Sequence, residues 1–357
     1  MNNYILDGHK CIYHLDKIKD WLDGKRIAPI TIDWALTQTC PYNCIYCYGK
    51  LQKNPGRRIT KDIAFNFLND AKEMGVKAIS LVSDGESTTV PFFYDVVSKG
   101  KELGLDIAVG TCGYPLKKDK LPELLKNLTY LRFNVSAANP QRYAYIHGTT
   151  EKAFHTVYDI IEECVRLKRD NQFSVTIGLQ MVLMPDFADQ IIPMAKLGKE
   201  LGVDYTIIKH CSDDENGNLG VDYNEYKKLY HLLEDAEKYT TKDYLVKVKW
   251  SKIKSGNIRS YNRCYAPPLF LQTSGSGLIA PCGMLFNPKY KRYWIGNITK
   301  GDRLIDLWKG DRYWEVMNHL ASDKFDVNKE CGCLCIQDRI NNFLSELKNP
   351  PEHINFL

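Results

Sequence analysis

Apolar and polar positions repeat in two alternating periods between residues 29 and 212. Short apolar runs rich in β-branched and aromatic residues are typical of buried strands, and segments with apolar residues three or four positions apart are typical of amphipathic helices. Strands are predicted over 29–37, 77–83, 106–111, 130–136, 174–184 and 204–211. Helices are predicted over 60–74, 91–103, 121–128, 151–169 and 187–201. This alternation of strand and helix predicts an α/β fold with a parallel sheet.

Six such units are too few for a closed eight-stranded barrel, which needs ~250 residues. They predict a partial (β/α)6 TIM-like barrel over 29–212, with its chemistry at the C-terminal ends of the strands. An N-terminal arm with one short helix precedes it over 1–28, and a connecting helix and linker follow over 213–249. Residues 250–357 carry a second cluster of cysteines and are predicted to form a small α+β domain.

Three cysteines directly follow the first predicted strand, with the spacing C-x₃-C-x₂-C: Cys40, Cys44 and Cys47. Three thiolates on one loop, with no fourth nearby, suit a cubane iron–sulfur cluster that keeps one iron open. Zinc is the alternative, although it would need a fourth ligand. Three cysteines so close together cannot all pair as disulfides, so the loop predicts a metal site.

This loop, with the aromatic Tyr46 before its last cysteine, resembles that of the radical S-adenosylmethionine (SAM) superfamily. The resemblance implies a [4Fe–4S] cluster whose open iron chelates the amino and carboxylate groups of SAM. It implies that one electron cleaves SAM to a 5′-deoxyadenosyl radical, which abstracts hydrogen from a substrate. It also implies a (β/α)6 barrel, a flavodoxin- or ferredoxin-type reductant, and a position for Tyr46 against the adenine of SAM.

The second strand leads into a turn where the family has Gly-Gly-Glu, which holds the SAM amino group. Here the turn is Asp84, Gly85 and Glu86, so an aspartate replaces the first glycine. A tight turn and a carboxylate or carbonyl that faces an ammonium group are still available. An ordinary turn is the alternative interpretation.

The fourth strand alternates between apolar residues and the polar residues Arg132, Asn134 and Ser136. One polar face on a barrel strand predicts a polar lumen. The resemblance implies that these three residues contact the ribose and carboxylate of SAM, and that Val182 on the fifth strand contacts the adenine.

Two further cysteines stand at strand ends. Cys112 ends the third strand, where the family often has asparagine, and Cys211 ends the sixth. Each is a candidate to donate a hydrogen atom to a substrate radical. The alternative is a buried cysteine that acts as a small hydrophobic residue, which is common.

The C-terminal region contains five cysteines: Cys264, Cys282, Cys331, Cys333 and Cys335. Together with a Gly-Asn-Ile turn and a Leu-Trp helix, they resemble the SPASM or Twitch extension of radical SAM enzymes. The resemblance implies one auxiliary [4Fe–4S] cluster with Cys264 and Cys282 as ligands. The C-x-C-x-C run departs from the usual pair, so the other ligands stay open, and structural zinc is the alternative.

Composition excludes several classes of protein. The chain is 44% hydrophobic and 25% charged, and no apolar run approaches the ~20 residues of a membrane span. The N-terminus does not have the pattern of a signal peptide, so we expect a cytoplasmic protein. The formal net charge of +5 does not by itself indicate a nucleic-acid partner.

These features predict an enzyme that oxidises or epimerises a C–H bond of a small polar, sugar-like substrate. The basic stretch over 247–263 could meet a phosphate, or it could be a solvated face. Maturation of a peptide is the alternative, although the arm is short for a peptide-binding domain. A hypothesis of another class is a non-enzymatic iron–sulfur or zinc protein that binds RNA through basic segments; it predicts that SAM is not cleaved.

Overall fold

The computed structural model describes residues 4–256, 258–332 and 335–356. Within these residues ten strands form one open sheet: β1 (Thr31–Trp34), β2 (Ala78–Leu81), β3 (Asp106–Thr111), β4 (Tyr130–Asn134), β5 (Thr176–Leu183), β6 (Tyr205–His210), β7 (Leu245–Val248), β8 (Phe270–Thr273), β9 (Leu278–Ala280) and β10 (Gly296–Asn297). Their order across the sheet is β10-β9-β8-β1-β2-β3-β4-β5-β6-β7. Strands β1 to β6 are parallel and adjacent in chain order, so the predicted (β/α)6 core is confirmed.

The helices of the described residues are α1 (Leu15–Leu22), α2 (Lys61–Met74), α3 (Phe93–Glu102), α4 (Leu121–Asn127), α5 (Pro140–His147), α6 (Glu151–Asn171), α7 (Ile191–Leu201), α8 (Tyr230–Glu237), α9 (Trp250–Ser255), α10 (Leu304–Lys309), α11 (Asp311–Leu320), α12 (Val327–Glu330) and α13 (Asp338–Lys348). The predicted helices of the core correspond to α2, α3, α4, α6 and α7. No helix of these residues has both the length and the apolar character that a membrane span requires.

The alternation along the barrel strands separates a core from a lumen. Leu131 and Phe133 of β4 are fully buried in the hydrophobic core between sheet and helices. On β1, Trp34 points the same way and stacks on Phe67 of α2, with ring centroids 4.2 Å apart. Residues that alternate with these core residues along the strands, such as Arg132 between Leu131 and Phe133, therefore face the barrel interior. The polar face that the sequence predicted on β4 is present.

Two strands that the sequence did not assign to the barrel extend it at both edges. β7 pairs with β6 in parallel, and β8 pairs with β1 in parallel. β7 lies in a basic stretch where lysines alternate with valines, which we interpreted as a linker. β8 and β9 form an antiparallel hairpin. The C-terminal region thus continues the core sheet, and the domain boundary near residue 250 stays a prediction.

Helix α5 was not predicted, although its local signals are clear. The side chain of Asn139 accepts a hydrogen bond from the Arg142 amide at 2.9 Å, and Pro140 occupies the first turn. Gly148 ends the helix in a left-handed conformation at φ 56°. The helix is short and its apolar pattern is weak, which is why a search for periodicity missed it. It delivers His147 to the mouth of the barrel.

The N-terminal arm crosses the open seam between β7 and β8. Tyr4 packs against Tyr205 of β6, and the Asp7 carboxylate accepts a hydrogen bond from the Ser251 amide at 3.0 Å. Further along, His9 stacks on Phe343 of α13 at 4.3 Å. Ile18 of α1 is buried in a cluster that includes residues just before β8. The arm thus covers the gap that the incomplete barrel leaves.

Candidate active site

The cysteine loop lies at the C-terminal end of β1 and is held by α5. The amides of Asn43 and Ile45 donate to the carbonyls of His147 and Ile146 at 3.1 and 3.0 Å. Gly148 packs on the Asn43 carbonyl so closely that a Cβ there would lie 2.3 Å from its oxygen. These two hydrogen bonds and this close packing fix the position of the loop, although the loop has no regular secondary structure.

The three thiols of the loop are close enough to affect one another. Burial raises the pKa of Cys44 to about 12, and Cys47 and Cys40 also raise it. Burial likewise raises the pKa of Cys40 to about 11, with a smaller effect from Cys47. Three sulfur donors that repel each other as thiolates suit a positively charged iron–sulfur centre, because metal binding requires and stabilises the thiolate. This donor set therefore fits the cluster implied by the sequence.

His147 joins the loop to the barrel and was missed by the sequence analysis. Its side chain is 1% exposed, and its Nε2 accepts a hydrogen bond from the Ser136 amide at 3.0 Å. In the neutral ring Nδ1 then carries the proton. Nδ1 lies 3.4 Å from the Cys44 sulfur and 3.3 Å from the Tyr46 hydroxyl. Burial lowers the pKa of His147 to about 3, so the ring is neutral and can donate to either group.

Three of the predicted SAM-contacting residues meet near His147, beside the cysteine loop. The Val182 amide donates to the Ser136 hydroxyl at 3.1 Å, and Tyr46 reaches the same place through His147. Asn134 is two residues lower on the same face, where its side-chain oxygen accepts from Gln180 at 2.8 Å. Tyr46, Ser136 and Val182 can therefore wall one pocket beside the cysteine loop. Their contacts with SAM stay a prediction.

Glu86 braces the ends of β2 and β3. Its carboxylate is 4% exposed and accepts hydrogen bonds from the Thr88 and Thr111 hydroxyls at 2.7 and 2.8 Å and from the Cys112 amide at 2.7 Å. Its own amide donates to the Thr39 carbonyl at 2.9 Å, which leads into the cysteine loop. Glu86 thus fixes the mouth of the barrel, and its predicted contact with the SAM amino group is untested.

Asp84, which replaces a family glycine, links the barrel to the C-terminal hairpin. Its carboxylate accepts from the Gln38 side chain at 3.0 Å, from the Gly275 amide at 2.8 Å and from the Ser274 hydroxyl. It is only 9% exposed. These partners lie on two separate segments, so Asp84 holds the approach to the cysteine loop against the loop between β8 and β9.

The two candidate hydrogen-atom donors flank the cysteine loop. Burial, followed by the charge of Glu86, raises the pKa of Cys112 well above its usual value, and Cys40 is among its neighbours. The Cys211 sulfur is 3.6 Å from the Tyr46 carbonyl, and burial raises its pKa to about 12. Both side chains are therefore neutral thiols, which is the form that can give up a hydrogen atom. Whether either reaches substrate stays a prediction.

Four of the five C-terminal cysteines come together. Burial is the largest cause of the raised pKa of Cys264, and the nearby Cys335 and Cys331 raise it further. Burial and the same two neighbours also raise the pKa of Cys282. No three metal-binding side chains of the described residues surround a single ion position. Four thiols within electrostatic reach of one another are the number of thiolates that a cubane cluster needs as ligands. Cys333 lies outside the described residues.

Asn341 orders this second group of cysteines. Its side chain is fully buried, and its oxygen accepts from the amides of Tyr265 and Ala266 at 2.7 and 2.9 Å. The amide orientation is thereby fixed, so its NH₂ group points at two sulfurs. It donates to Cys264 at 3.7 Å and to Cys335 at 3.5 Å. Donors of this kind stabilise thiolates and tune the metal centre they ligate.

Asn341→Asp is expected to lower the affinity of the second cysteine group for its metal about 10- to 100-fold. The substitution keeps the shape but replaces the donor to two sulfurs with a carboxylate oxygen. Iron and sulfide per chain after reconstitution and desalting measure the effect. The matched control is Asn342→Asp, because Asn342 is next in sequence and its side chain contacts Asp338 instead of a sulfur. Equal iron content in both variants would contradict the assignment.

Tyr48 lies between the two groups of cysteines. It follows Cys47 directly, and its hydroxyl is buried without a hydrogen-bond partner in the described part of the chain. Burial raises its pKa, and Cys282 and Cys331 are the next largest causes. The sequence analysis did not single it out, although its position next to a cluster cysteine is a usable signal. It places the second group of cysteines beside the cysteine loop.

Comparisons with known proteins agree with this geometry. The sequence model of the radical SAM superfamily matches residues 34–197. The chain is 24% identical to the AdoMet-dependent heme synthase of Methanosarcina barkeri (strain Fusaro / DSM 804), over 85% of this chain and 88% of that protein. It is 21% identical to the tungsten-containing aldehyde ferredoxin oxidoreductase cofactor-modifying protein of Pyrococcus furiosus, over 78% of this chain and 80% of that protein.

The fold is also that of a solved structure, Streptococcus suis SuiB. The two superpose with a TM-score of 0.65 over 88% of this chain and 75% of that chain, at 15% sequence identity. The similarity extends beyond the six-stranded core, since it covers far more of the chain than residues 34–197.

Proposed function

This chain is a radical SAM enzyme, and from that premise we propose that it oxidises or epimerises a C–H bond of a small polar substrate held in its lumen. One observation carries the proposal: Tyr48 directly follows Cys47 and is within electrostatic reach of Cys282 and Cys331, next to a barrel interior that carries polar side chains. A substrate in that interior would be accessible to both groups of cysteines. Oxidation needs an electron acceptor and epimerisation needs a hydrogen donor, and the arrangement offers a candidate for each.

Enzymes of this family use a [4Fe–4S] cluster and SAM, which supply a 5′-deoxyadenosyl radical that removes a hydrogen atom from the substrate. We assign the ligands of that cluster to Cys40, Cys44 and Cys47. The chain's own residues then position SAM: Tyr46, Ser136 and Val182 form one wall, and His147 orients Tyr46. Glu86 holds two strand ends and the cysteine loop in register, which keeps the mouth fixed to the precision that a radical reaction needs.

The second group supports oxidation as the leading reaction. We assign an auxiliary [4Fe–4S] cluster to Cys264, Cys282, Cys331 and Cys335. Asn341 donates to two of these sulfurs. A cluster held there would supply the electron acceptor that oxidation of the substrate requires. Epimerisation instead requires a thiol that returns a hydrogen atom, for which Cys112 and Cys211 are the candidates.

Peptide maturation is the second candidate, because SuiB has been solved bound to its precursor peptide SuiA. The alignment leaves about a quarter of SuiB without a counterpart here. In this chain the N-terminal arm packs on α13 and on residues before β8. We favour a small substrate because polar side chains line the lumen. The hypothesis of a non-enzymatic RNA-binding protein does not agree with the family assignment.

Uncoupled cleavage of SAM tests the proposal. The anaerobically reconstituted protein with SAM and dithionite is expected to form 5′-deoxyadenosine, and Cys112→Ala and Cys211→Ala are expected to form it within about twofold of wild type. Neither thiol belongs to the proposed cluster ligands, so only product formation can depend on them. Absence of 5′-deoxyadenosine from the wild-type protein would overturn the proposal. Once a substrate is found, a product two mass units lighter indicates oxidation, and one solvent deuterium in the product indicates epimerisation.

A further inference from the structure

A surface cavity of about 420 Å³ has Cys264, a member of the second group of cysteines, in its lining. The lining also includes Arg26, shortly before β1, and Pro268, shortly before β8, so the cavity lies at the N-terminal ends of these two parallel strands. The cysteine loop instead follows the C-terminal end of β1. Cys264 is therefore approached from outside the barrel, at the end of β1 that is remote from the proposed SAM pocket.

Cys264 is built into the wall of this cavity. Its amide donates to the Leu320 carbonyl at the end of α11 at 3.0 Å, and the Asn341 side chain of α13 donates to its sulfur at 3.7 Å. Its side chain is half-buried, whereas Cys282 is only 7% exposed. The helix α11 also contributes Trp314 to the lining. A metal centre held by Cys264 would therefore lie directly behind this surface.

The rim of the cavity is positively charged. In the part of the chain that the structure describes, no aspartate or glutamate lines it, and four exposed cations do: Lys25, Arg26, Arg263 and Lys348. Asp20 pairs with Lys25 at 2.7 Å and Asp311 pairs with Arg26 at 3.1 Å, both from outside the lining. Arg263 and Lys348 form no ion pair with a described residue. Exposed ion pairs are weak and screened by solvent, so the surface keeps its positive character.

Two tryptophans of the cavity hold cations of the rim. The Lys348 Nζ lies 4.8 Å from the centre of the Trp21 ring, and the Arg26 Cζ lies 5.7 Å from the centre of the Trp314 ring. Trp314 is also only 8% exposed. Indole rings that already carry a cation of the chain are poor stacking surfaces for a small aromatic ligand. The cavity instead presents positive charges to the surface of a partner.

We propose that an acidic one-electron carrier protein, such as a flavodoxin, docks over this cavity and takes up the electron that oxidation of the substrate leaves at the second group of cysteines. This inference rests on the proposed function, because it requires oxidation and a metal centre in that group. The step moves one electron to the oxidised carrier, which becomes singly reduced, and it moves no atom. Complementary charge steers such partners together, and electron-transfer complexes have small interfaces.

Electron transfer from the second group alone tests this proposal. The full chain with Cys40, Cys44 and Cys47 replaced by alanine, called here the parent, is reconstituted, reduced with dithionite and desalted. It is then mixed with an oxidised flavodoxin of net negative charge, whose absorbance measures its one-electron reduction. We expect the second-order rate constant to fall at least tenfold between about 10 mM and about 1 M salt, because the Debye length shortens from ~30 to ~3 Å.

Charge reversal at the rim is expected to have the same effect. Lys25→Glu with Lys348→Glu, added to the parent, should lower the rate constant at least tenfold at the lower salt concentration. The matched control is Lys152→Glu with Lys227→Glu, because it reverses two exposed lysines on α6 and before α8 and changes the net charge equally. This control should stay within twofold of the parent. Hexaammineruthenium(III), a small cation, should oxidise all three proteins without loss of rate.

Three results would overturn the proposal: equal reduction of flavodoxin by all three proteins, a rate constant that does not depend on salt, and loss of iron from the rim variant, which would give its two lysines a structural role. Iron per chain separates these results from failure of the proposed function. A parent without iron would remove the second metal centre and with it the proposed oxidation. A parent that holds iron and reduces the ruthenium complex but not flavodoxin would refute this inference alone.

Discussion

Simultaneous replacement of Cys40, Cys44 and Cys47 by alanine is expected to reduce 5′-deoxyadenosine formation at least 1,000-fold, to the background without enzyme. Cys112 and Cys211 are not expected to replace the three thiols, because they follow β3 and β6, where the Cys112 amide donates to Glu86 and the Cys211 sulfur lies 3.6 Å from the Tyr46 carbonyl. Without the cluster no electron reaches SAM. Liquid chromatography of the anaerobic reaction measures the loss directly.

Iron analysis of the same variant distinguishes the two groups of cysteines. Wild type is expected to hold about eight irons and the variant about four, because each [4Fe–4S] cluster contains four and the second group is unchanged. Cys164→Ala is the matched control: its thiol is fully buried on α6, outside both groups. It should keep all the iron and the activity, with a stability loss of about 1–2 kcal/mol.

A variant without iron would mean that the second group holds zinc or no metal. Oxidation would then lack its electron acceptor, and redox-neutral epimerisation would become the better proposal. A variant that still forms 5′-deoxyadenosine would contradict the assignment of the cysteine loop itself. The two measurements therefore test separate parts of the proposed function.

Much of the fold could be predicted from local sequence patterns. β4 was predicted because its residues alternate cleanly between apolar and polar side chains, and α2 follows Thr60, whose hydroxyl accepts a hydrogen bond from the Ile63 amide. The cysteine loop was predicted because its three ligands lie within eight residues. Each of these features is determined by neighbours along the chain.

The missed features depend on distant parts of the chain. β8 joins β1 across more than 230 residues, and no local pattern specifies such a pairing. β7 was interpreted as a basic linker because Lys247 and Lys249 interrupt its valines. In the structure Lys247 is paired with Glu237, whereas burial and the charges of Lys252 and Lys209 lower the pKa of Lys249. The same residue type in one stretch thus has two different environments, which composition cannot separate.

In the candidate site, too, local sequence patterns predicted some residues, and others depend on contacts with distant parts of the chain. Strand alternation put Ser136 on the polar face of the fourth strand, and the family resemblance put Val182 at the adenine; in the structure the Val182 amide donates to the Ser136 hydroxyl. His147 could not be identified, because its role depends on the short helix α5 and on contacts with Cys44 and Ser136, residues distant in sequence. Alternation likewise fixed the face of Arg132 but not its depth, which requires the register with Gly110 and Gly178.

Gly85→Ala is expected to cost about 3 kcal/mol of stability and to lower the iron content of the first cluster along with SAM cleavage at least tenfold. A Cβ at this position would lie 1.9 Å from the Thr37 carbonyl oxygen and 2.9 Å from Gln38 Cα. Both are backbone atoms, so the alanine cannot be accommodated by a side-chain rotation. Gly275 packs on the same stretch from the C-terminal hairpin, 2.0 Å from the Thr37 carbonyl carbon by the same measure.

Residues 37–38 are thus clamped between two glycines, and the cysteine loop begins two residues later. A shift of this segment would move Cys40 relative to Cys44, which α5 holds independently. Iron per chain, Tm and 5′-deoxyadenosine formation measure the three expected effects. Gly49→Ala is the matched control, because a Cβ there would meet nothing nearer than 3.4 Å although it lies beside Asp84 and Cys47. It should stay within twofold of wild type. If Gly85→Ala instead retained its iron and its Tm, the loop would have to be positioned by α5 alone, and the glycine of this turn would matter only for its contact with SAM.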